Sequence, residues 1–209
     1  MPVKRIAEST VRRLSIYLRF LEESEGTGHA TISSDELARL GGTTSAQVRK
    51  DLSFFGSFGK RGLGYSVPEL ATAIREILGL GREWKVIIVG AGKIGAALAQ
   101  YRGFHQRGFR IVAAYDTNPE KIGRTLEGVE VRDVCTLERD IERSRPDIAV
   151  IAVPSEGAQE ILDRLARAGV TAVLSFAAAQ LHAPPEVTIK TVNMAMELEG
   201  LTFALTNRE

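Results

Sequence analysis

Features that mark secreted, membrane-bound or metal-dependent proteins are almost absent from this chain of 209 residues. Its one cysteine, Cys135, excludes an intrachain disulfide and a zinc site built from several cysteines, and a lone thiol suits a reducing compartment. We assign Cys135 no function, and we expect no metal site. No apolar run approaches the ~20 residues of a membrane span, and the start MPVKRIAEST lacks the apolar core of a signal peptide. We therefore expect a cytoplasmic protein with no membrane partner.

A large surplus of one charge is also lacking, because the formal net charge is only +1. The overall charge therefore neither favours nor excludes a nucleic-acid partner, but its distribution is uneven. Basic residues cluster at the start of the chain and again around 49–61, whereas apolar β-branched runs appear only after Arg82. This change predicts a domain boundary near 79–83. The predicted domains are a DNA-binding domain over 1–80, a nucleotide-binding domain over 81–192 and a dimerisation helix over 193–209.

The N-terminal domain is predicted to begin with an amphipathic helix that ends before Gly26. Apolar residues recur there at helical spacing and form one stripe. The residues of this stripe are Val11, Leu14, Leu18 and Leu21.

Two short helices are predicted to follow. Ser33 and Glu36 have the spacing of a capping box at the start of the first, and Thr44 and Gln47 have it at the start of the second. Glycines end both helices, with Gly56 expected as the C-terminal cap of the second. The core stripe of the second helix is Val48, Leu52 and Phe55.

A Gly-Gly-Thr turn between two such helices is typical of a helix-turn-helix, whose second helix enters the major groove of DNA. Small residues let this helix approach the DNA closely, and long polar residues reach base edges or phosphates. The next segment, GSFGKRGLGY, is predicted to form a hairpin, here called the wing, whose Lys-Arg pair contacts the DNA backbone or minor groove. The predicted DNA-contacting residues are Ser45, Ala46, Gln47, Arg49, Lys50, Ser53, Lys60 and Arg61.

A pair of amphipathic helices whose charges merely face solvent is the alternative interpretation. Taken alone, the run Arg49-Lys50-Asp51 is more typical of a solvated surface. The two capping boxes, the short turn and the basic wing together favour DNA. A further helix over 68–78 is expected to link the two domains, because its apolar residues again share one stripe.

The second domain opens with WKVIIVGAGKIGAALA, an apolar strand over 86–89 followed by a glycine-rich turn and a helix to about Arg107. This order of strand, loop and helix is what a dinucleotide-binding fingerprint requires. Gly90 allows the tight turn, Gly92 lets the backbone approach a pyrophosphate, and Gly95 lets helix and strand pack closely. Backbone amides at the helix N-terminus attract phosphate. The predicted loop residues are Gly90, Ala91, Gly92, Lys93, Ile94 and Gly95.

The next strand, RIVAAYD, ends at Asp116, about 20 residues beyond the glycine loop. An acid at this place binds the adenosine ribose and repels a 2′-phosphate, so NAD(H) is favoured over NADP(H). An acidic strand-end cap with no ligand is the alternative. Further strands over 147–153 and 171–176, separated by helical segments, predict a doubly wound parallel sheet. Val153 and Pro154 are expected on the nicotinamide side of the ligand.

Catalytic machinery is not evident in the sequence. The segment 81–209 is large enough for the nucleotide domain but leaves no room for a substrate domain. His29, His105 and His182 have the surroundings of surface residues, and no Lys, Tyr or Asp forms a catalytic motif with them. We therefore expect no enzyme and no substrate turned over. A small NAD-dependent oxidoreductase and a metabolite-binding subunit, such as one that holds coenzyme A, stay open as other classes; the latter would lack the DNA-binding domain.

The stretch SAQVRKDLSFFGSFGKRGLGY, followed by VIIVGAGKIGAALA and Asp116, resembles the Rex family of redox-sensing transcriptional repressors over essentially the full chain. The resemblance implies an α/β protein with an N-terminal winged helix-turn-helix domain and a Rossmann domain. It also implies a homodimer that binds palindromic, double-stranded operator DNA. In this family NADH releases the repressor, whereas NAD+ competes without effective release. The identity of the releasing redox form rests on the resemblance alone.

The terminal segment NMAMELEGLTFALT is predicted to form a helix over 193–206. From the pattern alone, this helix covers its own sheet, whereas the resemblance implies that it is exchanged between subunits. The family often carries Asp where Asn193 stands, so an ionic contact from this position to an arginine such as Arg13 is left open. The apolar stripe of the helix is Met194, Leu198, Leu201 and Leu205.

Overall fold

Two compact units make up the chain in the computed structural model, one over Met1–Arg82 and the other over Glu83–Glu209. The structure describes residues 6–59 and 62–207. The predicted wing-tip pair, Lys60 and Arg61, therefore lies outside the described residues. Each unit encloses a buried apolar core of its own.

The described part of the N-terminal unit is mainly helical. Helix α1 packs against α4 and helix α2 packs against α3, so the apolar faces of the helices meet in one core. The elements are α1 (Glu8–Gly26), β1 (Thr31–Ile32), α2 (Ser34–Leu40), α3 (Ser45–Ser53), β2 (Tyr65–Ser66) and α4 (Val67–Ile77).

The buried face of α1 differs from the prediction at one residue. Leu14, Leu18 and Leu21 are fully buried, but Val11 is 41% exposed and Tyr17 takes a buried position instead. Residues 14, 17, 18 and 21 follow the i, i+3, i+4, i+7 spacing of a single helix face, whereas Val11 lies in the first turn. The helix also includes Gly26 rather than ending before it.

Side chains cap both short helices at the predicted positions. At the start of α2, the Ser33 hydroxyl accepts from the Glu36 amide at 3.1 Å, and the Glu36 carboxylate accepts from the Ser33 amide at 2.8 Å, which confirms the capping box. At the start of α3, the Thr44 hydroxyl accepts from the Gln47 amide at 3.2 Å. The side chain of Gln47 turns away from this cap and donates to Asp51 at 2.8 Å.

The end of α3 differs from the prediction, and the wing is described only on either side of its tip. Helix α3 ends at Ser53 with Phe54 as its cap, so Gly56 is not the C-terminal cap. The predicted tip of the wing lies outside the described residues, so a hairpin within the wing stays a prediction. Its returning strand β2 pairs with β1, with Ile32 opposite Tyr65. Glycine is required at Gly64, because its φ is +78° and a Cβ would lie 2.5 Å from the Ile32 carbonyl oxygen.

The second unit is a Rossmann fold, as predicted. In its described part, one seven-stranded sheet has the order β5-β6-β4-β3-β7-β8-β9, parallel except for β5. The elements are β3 (Trp84–Val89), α5 (Lys93–Gln100), α6 (Arg102–Gln106), β4 (Phe109–Asp116), β5 (Thr125–Leu126), β6 (Val129–Asp133), α7 (Leu137–Ser144), β7 (Ile148–Ile151), α8 (Ser155–Arg167), β8 (Ala172–Ser175), β9 (Thr188–Thr191) and α9 (Met194–Thr206).

The helix after the glycine loop is shorter than predicted. The backbone of Tyr101 is extended, with ψ of 100°, so α5 stops before it and the separate helix α6 follows. The Tyr101 ring packs edge-on against Phe104 with ring centroids 5.1 Å apart, which stabilises the break. The single helix predicted to reach Arg107 is therefore wrong. Strands β7 and β8 lie within the predicted ranges but are shorter than them.

Helix α9 does not cover the sheet, contrary to the pattern-based expectation. Every residue from Met194 to Thr206 is exposed. Asn193 begins the helix by accepting hydrogen bonds from the amides of Ala195 and Met196. The apolar side chains of α9 are between 57% and 71% exposed: Met194, Met196, Leu198, Leu201, Phe203 and Leu205.

The strand order determines where a ligand can bind. Within the sheet, β3 has β4 as its neighbour on one side and β7 on the other, so the strand order reverses direction at β3. The carboxyl ends of β3 and β7 therefore border a topological switch point, where open α/β sheets form their binding crevice.

Candidate functional site

A cleft of about 750 Å³ lies at this switch point. Its floor is the end of β3 with the glycine loop, and its sides are the ends of β4 and β7 and the first turns of α8. The residues that line it are Val89, Gly90, Gly92, Tyr115, Asp116, Thr117, Lys121, Val134, Cys135, Ala152, Val153, Pro154, Glu156, Gly157, Glu160, Ile161 and Arg164.

The three loop glycines have different structural roles. A Cβ at Gly95 would collide with the carbonyl oxygen of Gly90, so α5 can pack this closely only with glycine there. Gly90 has a φ of +106°, and a Cβ would meet the Ala152 carbonyl oxygen at 2.5 Å. A Cβ at Gly92 would meet no described atom within 4 Å, so this glycine leaves open space on the cleft side. This space fits the close approach of a pyrophosphate.

The N-terminus of α5 offers backbone donors to such a group. Among the described residues, no side chain caps α5 at Gly92, and the first amides of a helix have no partner within it. Lys93 and Ile94 begin the helix with exposed side chains that do not line the cleft, and Ala91 is buried. Of the predicted loop residues, the structure thus brings Gly90 and Gly92 to the cleft itself.

Asp116 ends β4 at the cleft and is held by three donors. Its Oδ2 accepts from the Ala91 amide and from Lys121 Nζ, each at 2.9 Å, and its Oδ1 accepts from the Asn118 amide at 2.9 Å. Burial would raise the pKa of Asp116, but these hydrogen bonds outweigh it and hold the pKa below its ordinary value. The carboxylate is therefore ionised and ties the glycine loop to the end of β4.

The cleft is also lined by Arg164, which forms an ion pair that the sequence analysis did not identify. Arg164 donates to both carboxylate oxygens of Glu138, at 2.6 and 2.8 Å, and to the Val134 carbonyl oxygen at 2.8 Å. The hydrogen bond from Arg164 lowers the pKa of Glu138 to about 2. Cys135 lies beside this pair on the cleft wall, where a hydrogen bond with Asp133 raises the pKa of its thiol.

A second candidate site is the outer face of α3. Ala46, Arg49, Lys50 and Ser53 are exposed there, while Ser45 is half-buried. The Arg49 guanidinium donates to the Ser34 hydroxyl at 2.9 Å across the turn between the helices. Ser34 was not among the predicted residues.

Besides Arg49, two more of the predicted DNA-contacting residues have partners within the protein. The half-buried Gln47 donates its amide to Asp51, so it is less available for a base edge than the prediction assumed. The Ser53 hydroxyl donates to the Lys50 carbonyl oxygen at 2.7 Å, within its own helix. Arg13 donates to Asp51 as well, through its Nε and its Nη2.

The described part of the chain contains neither a cluster of metal-binding side chains nor a helix that could cross a membrane. Within 6–59 and 62–207, no three or more His, Cys, Asp or Glu residues are grouped so that they could hold a metal ion. None of the helices formed by these residues combines the length and the apolar composition that crossing a membrane requires.

Two family models match the chain, one in each unit. A model described as a putative DNA-binding protein N-terminus matches residues 5–53, which include α1, α2 and α3. A model described as a CoA binding domain matches residues 81–179, the larger part of the Rossmann unit. The second match corresponds to the metabolite-binding alternative, but a stand-alone subunit of that kind would lack the N-terminal unit present here.

Relatives and solved structures match the whole chain. The redox-sensing transcriptional repressor Rex of Desulfitobacterium hafniense is 47% identical over 208 residues, covering 100% of this chain and 99% of that protein. The crystal structure of RSP in complex with β-NAD+ and operator DNA is 38% identical, with a TM-score of 0.93, covering 97% of this chain and 94% of that one. RSP in complex with β-NADH is 36% identical, with a TM-score of 0.89 and coverage of 97% and 95%.

The helix-turn-helix unit joined to a Rossmann unit defines a nucleotide-responsive transcriptional regulator rather than a dehydrogenase. The full-length similarity makes the assignment specific. The chain belongs to the Rex family of redox-sensing transcriptional repressors, which are not enzymes.

Proposed function

We propose that this chain represses transcription by binding double-stranded operator DNA, and that NADH bound in the Rossmann cleft releases it. The observation that carries the proposal is the presence of both modules in one chain that matches RSP over 97% of its length. RSP has been solved with operator DNA and β-NAD+ together, and with β-NADH. The protein thereby responds to the ratio of NADH to NAD+ and turns over no substrate.

Operator DNA is bound by the exposed face of α3 and by the wing. The small side chains of Ser45 and Ala46 near the start of α3 permit close approach to the major groove. Arg49 and Lys50 supply cations for phosphates or base edges, and the Arg49–Ser34 hydrogen bond orients the guanidinium. The roles of Lys60 and Arg61, in backbone or minor-groove contact, rest on the sequence alone.

NADH and NAD+ occupy the cleft in the orientation of a Rossmann fold. The open space at Gly92 and the uncapped start of α5 receive the pyrophosphate, and Asp116 receives the adenosine ribose. Val153 and Pro154 border the nicotinamide end. The nicotinamide supplies the redox signal, because its oxidised form carries a positive charge and a planar aromatic ring that the reduced form lacks.

The protein acts as a homodimer on a palindromic operator, in the cytoplasm, where it has access to DNA. The support is α9, whose apolar side chains have no cover within the chain among the described residues. Six such side chains on one helix are costly to leave in water, and exchange of the helix between subunits buries them. Sedimentation should show a dimer for the wild type and a monomer for the double variant Leu198→Asn, Leu201→Asn. The control variant Thr202→Asn, at an exposed polar residue of the same helix, should stay dimeric. A Leu198→Asn, Leu201→Asn variant that stays dimeric contradicts this assembly.

Release follows if NADH favours one arrangement of the dimer over another. Two recognition helices in a symmetric dimer fit successive major grooves only when they lie about 34–36 Å apart, or a multiple of that distance. A ligand that favours a different separation or tilt therefore removes the fit. Changing the ratio of the DNA-binding to the released arrangement of the dimer from 99:1 to 1:99 requires about 5.5 kcal/mol of differential binding free energy. Two bound nucleotides can share this requirement.

The deciding experiment is a titration of a labelled palindromic operator duplex, followed by fluorescence anisotropy, with NADH and with NAD+. We expect binding in the absence of nucleotide, release by NADH, and little release by NAD+ at the same occupancy. NAD+ should raise the NADH concentration needed for release, because the two compete for one cleft. Equal release by both forms, or by neither, would refute the redox switch.

A further inference from the structure

Lys121 forms the closest charged contact of the ribose-binding carboxylate. Its Nζ lies 2.9 Å from Asp116 Oδ2, and both side chains line the cleft beside the glycine loop. The Asp116 side chain is only 10% exposed, whereas that of Lys121 is 36% exposed. The ammonium therefore lies on the solvent side of the carboxylate, at the end of the cleft where a Rossmann fold holds the adenosine ribose.

This pairing changes what Asp116 does to a 2′-phosphate. A bare carboxylate repels the phosphate of NADP(H), whereas Rossmann proteins that accept NADP(H) place a cation near the same position. Here both features are present, and the cation is bound to the carboxylate. An ammonium has three donors, and the contact with Asp116 requires one of them.

The other cation on the cleft is committed elsewhere. Among the described residues that line the cleft, the cations are Lys121 and Arg164. Arg164 donates to both oxygens of Glu138 and to the Val134 carbonyl oxygen, which holds its guanidinium in place. Lys121, on a flexible and half-exposed side chain, is the cation able to turn toward a ligand.

We propose that Lys121 determines how strongly the cleft distinguishes NADH from NADPH, as a ligand for the 2′-phosphate that Asp116 restrains. The inference rests on the proposed function, since it concerns the same nucleotide site. While Asp116 is charged, it holds the ammonium and repels the phosphate, so NADH is preferred. When the charge of Asp116 is removed, the ammonium is released to bind the phosphate of NADPH.

The test compares the dissociation constants of NADH and NADPH, measured by the fluorescence of the reduced nicotinamide, for the wild type and four variants. Lys121→Met should raise the dissociation constant of NADPH by about tenfold and that of NADH by less than about threefold. Asp116→Asn should shift the preference toward NADPH by about tenfold, and adding Lys121→Met should abolish this shift. Arg124→Met, an exposed cation three residues along that does not line the cleft, is the control for net charge and should leave both constants unchanged.

The outcomes separate the inference from the function on which it rests. The inference alone is overturned if Lys121→Met leaves the ratio of the NADPH and NADH dissociation constants unchanged, both in the wild-type and in the Asp116→Asn background. Where the wild type binds NADPH too weakly to measure, the comparison in the Asp116→Asn background decides. A wild-type protein that binds neither nucleotide overturns the proposed function and the inference together.

Discussion

Arg13 on α1 forms a bidentate ion pair with Asp51 on α3: its Nε donates to one carboxylate oxygen at 2.6 Å and its Nη2 to the other at 2.8 Å. Asp51 is completely buried, and Thr10, Tyr17 and Gln47 also donate to it. Burial would raise the pKa of Asp51, but these hydrogen bonds outweigh it and hold the pKa below its ordinary value. The ion pair thus holds α3 against α1 through a charged group on the buried face of α3.

Loss of the Arg13 guanidinium should destabilise the N-terminal unit strongly. Arg13→Ala leaves the buried carboxylate of Asp51 without its cation, and we expect the free energy of unfolding to fall by about 3–5 kcal/mol. Arg12→Ala, an exposed arginine one residue earlier on the same helix, should change it by less than about 0.5 kcal/mol. Urea denaturation followed by circular dichroism measures both, and equal midpoints for the two variants would contradict the role of the pair.

Two glycines of the nucleotide loop should respond differently to the addition of one methyl group. Gly92→Ala places its Cβ in open space at a φ of −76°, so we expect unchanged stability and weaker binding of NADH. Gly95→Ala drives its Cβ into the Gly90 carbonyl oxygen, so we expect a lower melting temperature whether or not nucleotide is present. Thermal unfolding and calorimetric titration separate the two effects. A destabilised Gly92→Ala protein that binds NADH normally would disprove this division of roles.

The exposed cations of α3 should account for part of the salt dependence of operator binding. If Arg49 and Lys50 each contact one phosphate, replacing either with Ala should reduce the magnitude of the slope of log affinity against log salt by about 0.9. Arg143→Ala, an exposed arginine of the Rossmann unit, should leave the slope unchanged. Anisotropy titrations between low and moderate salt provide the slopes, and an Arg49→Ala, Lys50→Ala protein with the wild-type slope would exclude these contacts.

The parts of the fold that sequence predicted well are those determined by local chemistry. The need for glycine at position 95 follows from a collision within the loop itself, because a Cβ there would meet the Gly90 carbonyl oxygen. The capping box of Ser33 and Glu36 likewise needs only neighbouring residues. Asp116 could be placed because it ends the strand that follows the helical segment after the loop, in the regular β-α-β order of the fold. The contacts at Gly95 and in the capping box join residues close in sequence, and Asp116 is placed by the regular order of elements.

The missed features depend on residues that meet only in the folded chain. The wing strand β2 pairs with β1, a partner distant in sequence that the glycine-rich segment itself does not reveal. Asp51 stands next to Arg49 and Lys50 and has the sequence surroundings of a solvated residue, yet Arg13 makes its burial possible. Lys121 could have been noticed, because it follows Asp116 by five residues, but the turn that brings them together has no clear signature.

The coupling of the two sites gives the strongest test of the regulatory proposal. If NADH weakens operator binding by some factor, thermodynamic linkage requires operator DNA to weaken NADH binding by the same factor. We expect the dissociation constant of NADH to rise in the presence of saturating operator, and that of NAD+ to change much less, because RSP has been solved with β-NAD+ and operator DNA bound together. A duplex of scrambled sequence at the same concentration controls for non-specific charge effects. Calorimetric titration of both nucleotides measures the factors. Identical NADH affinity with and without operator would mean that the sites are not coupled, and the redox-switch mechanism would fail even though both ligands bind.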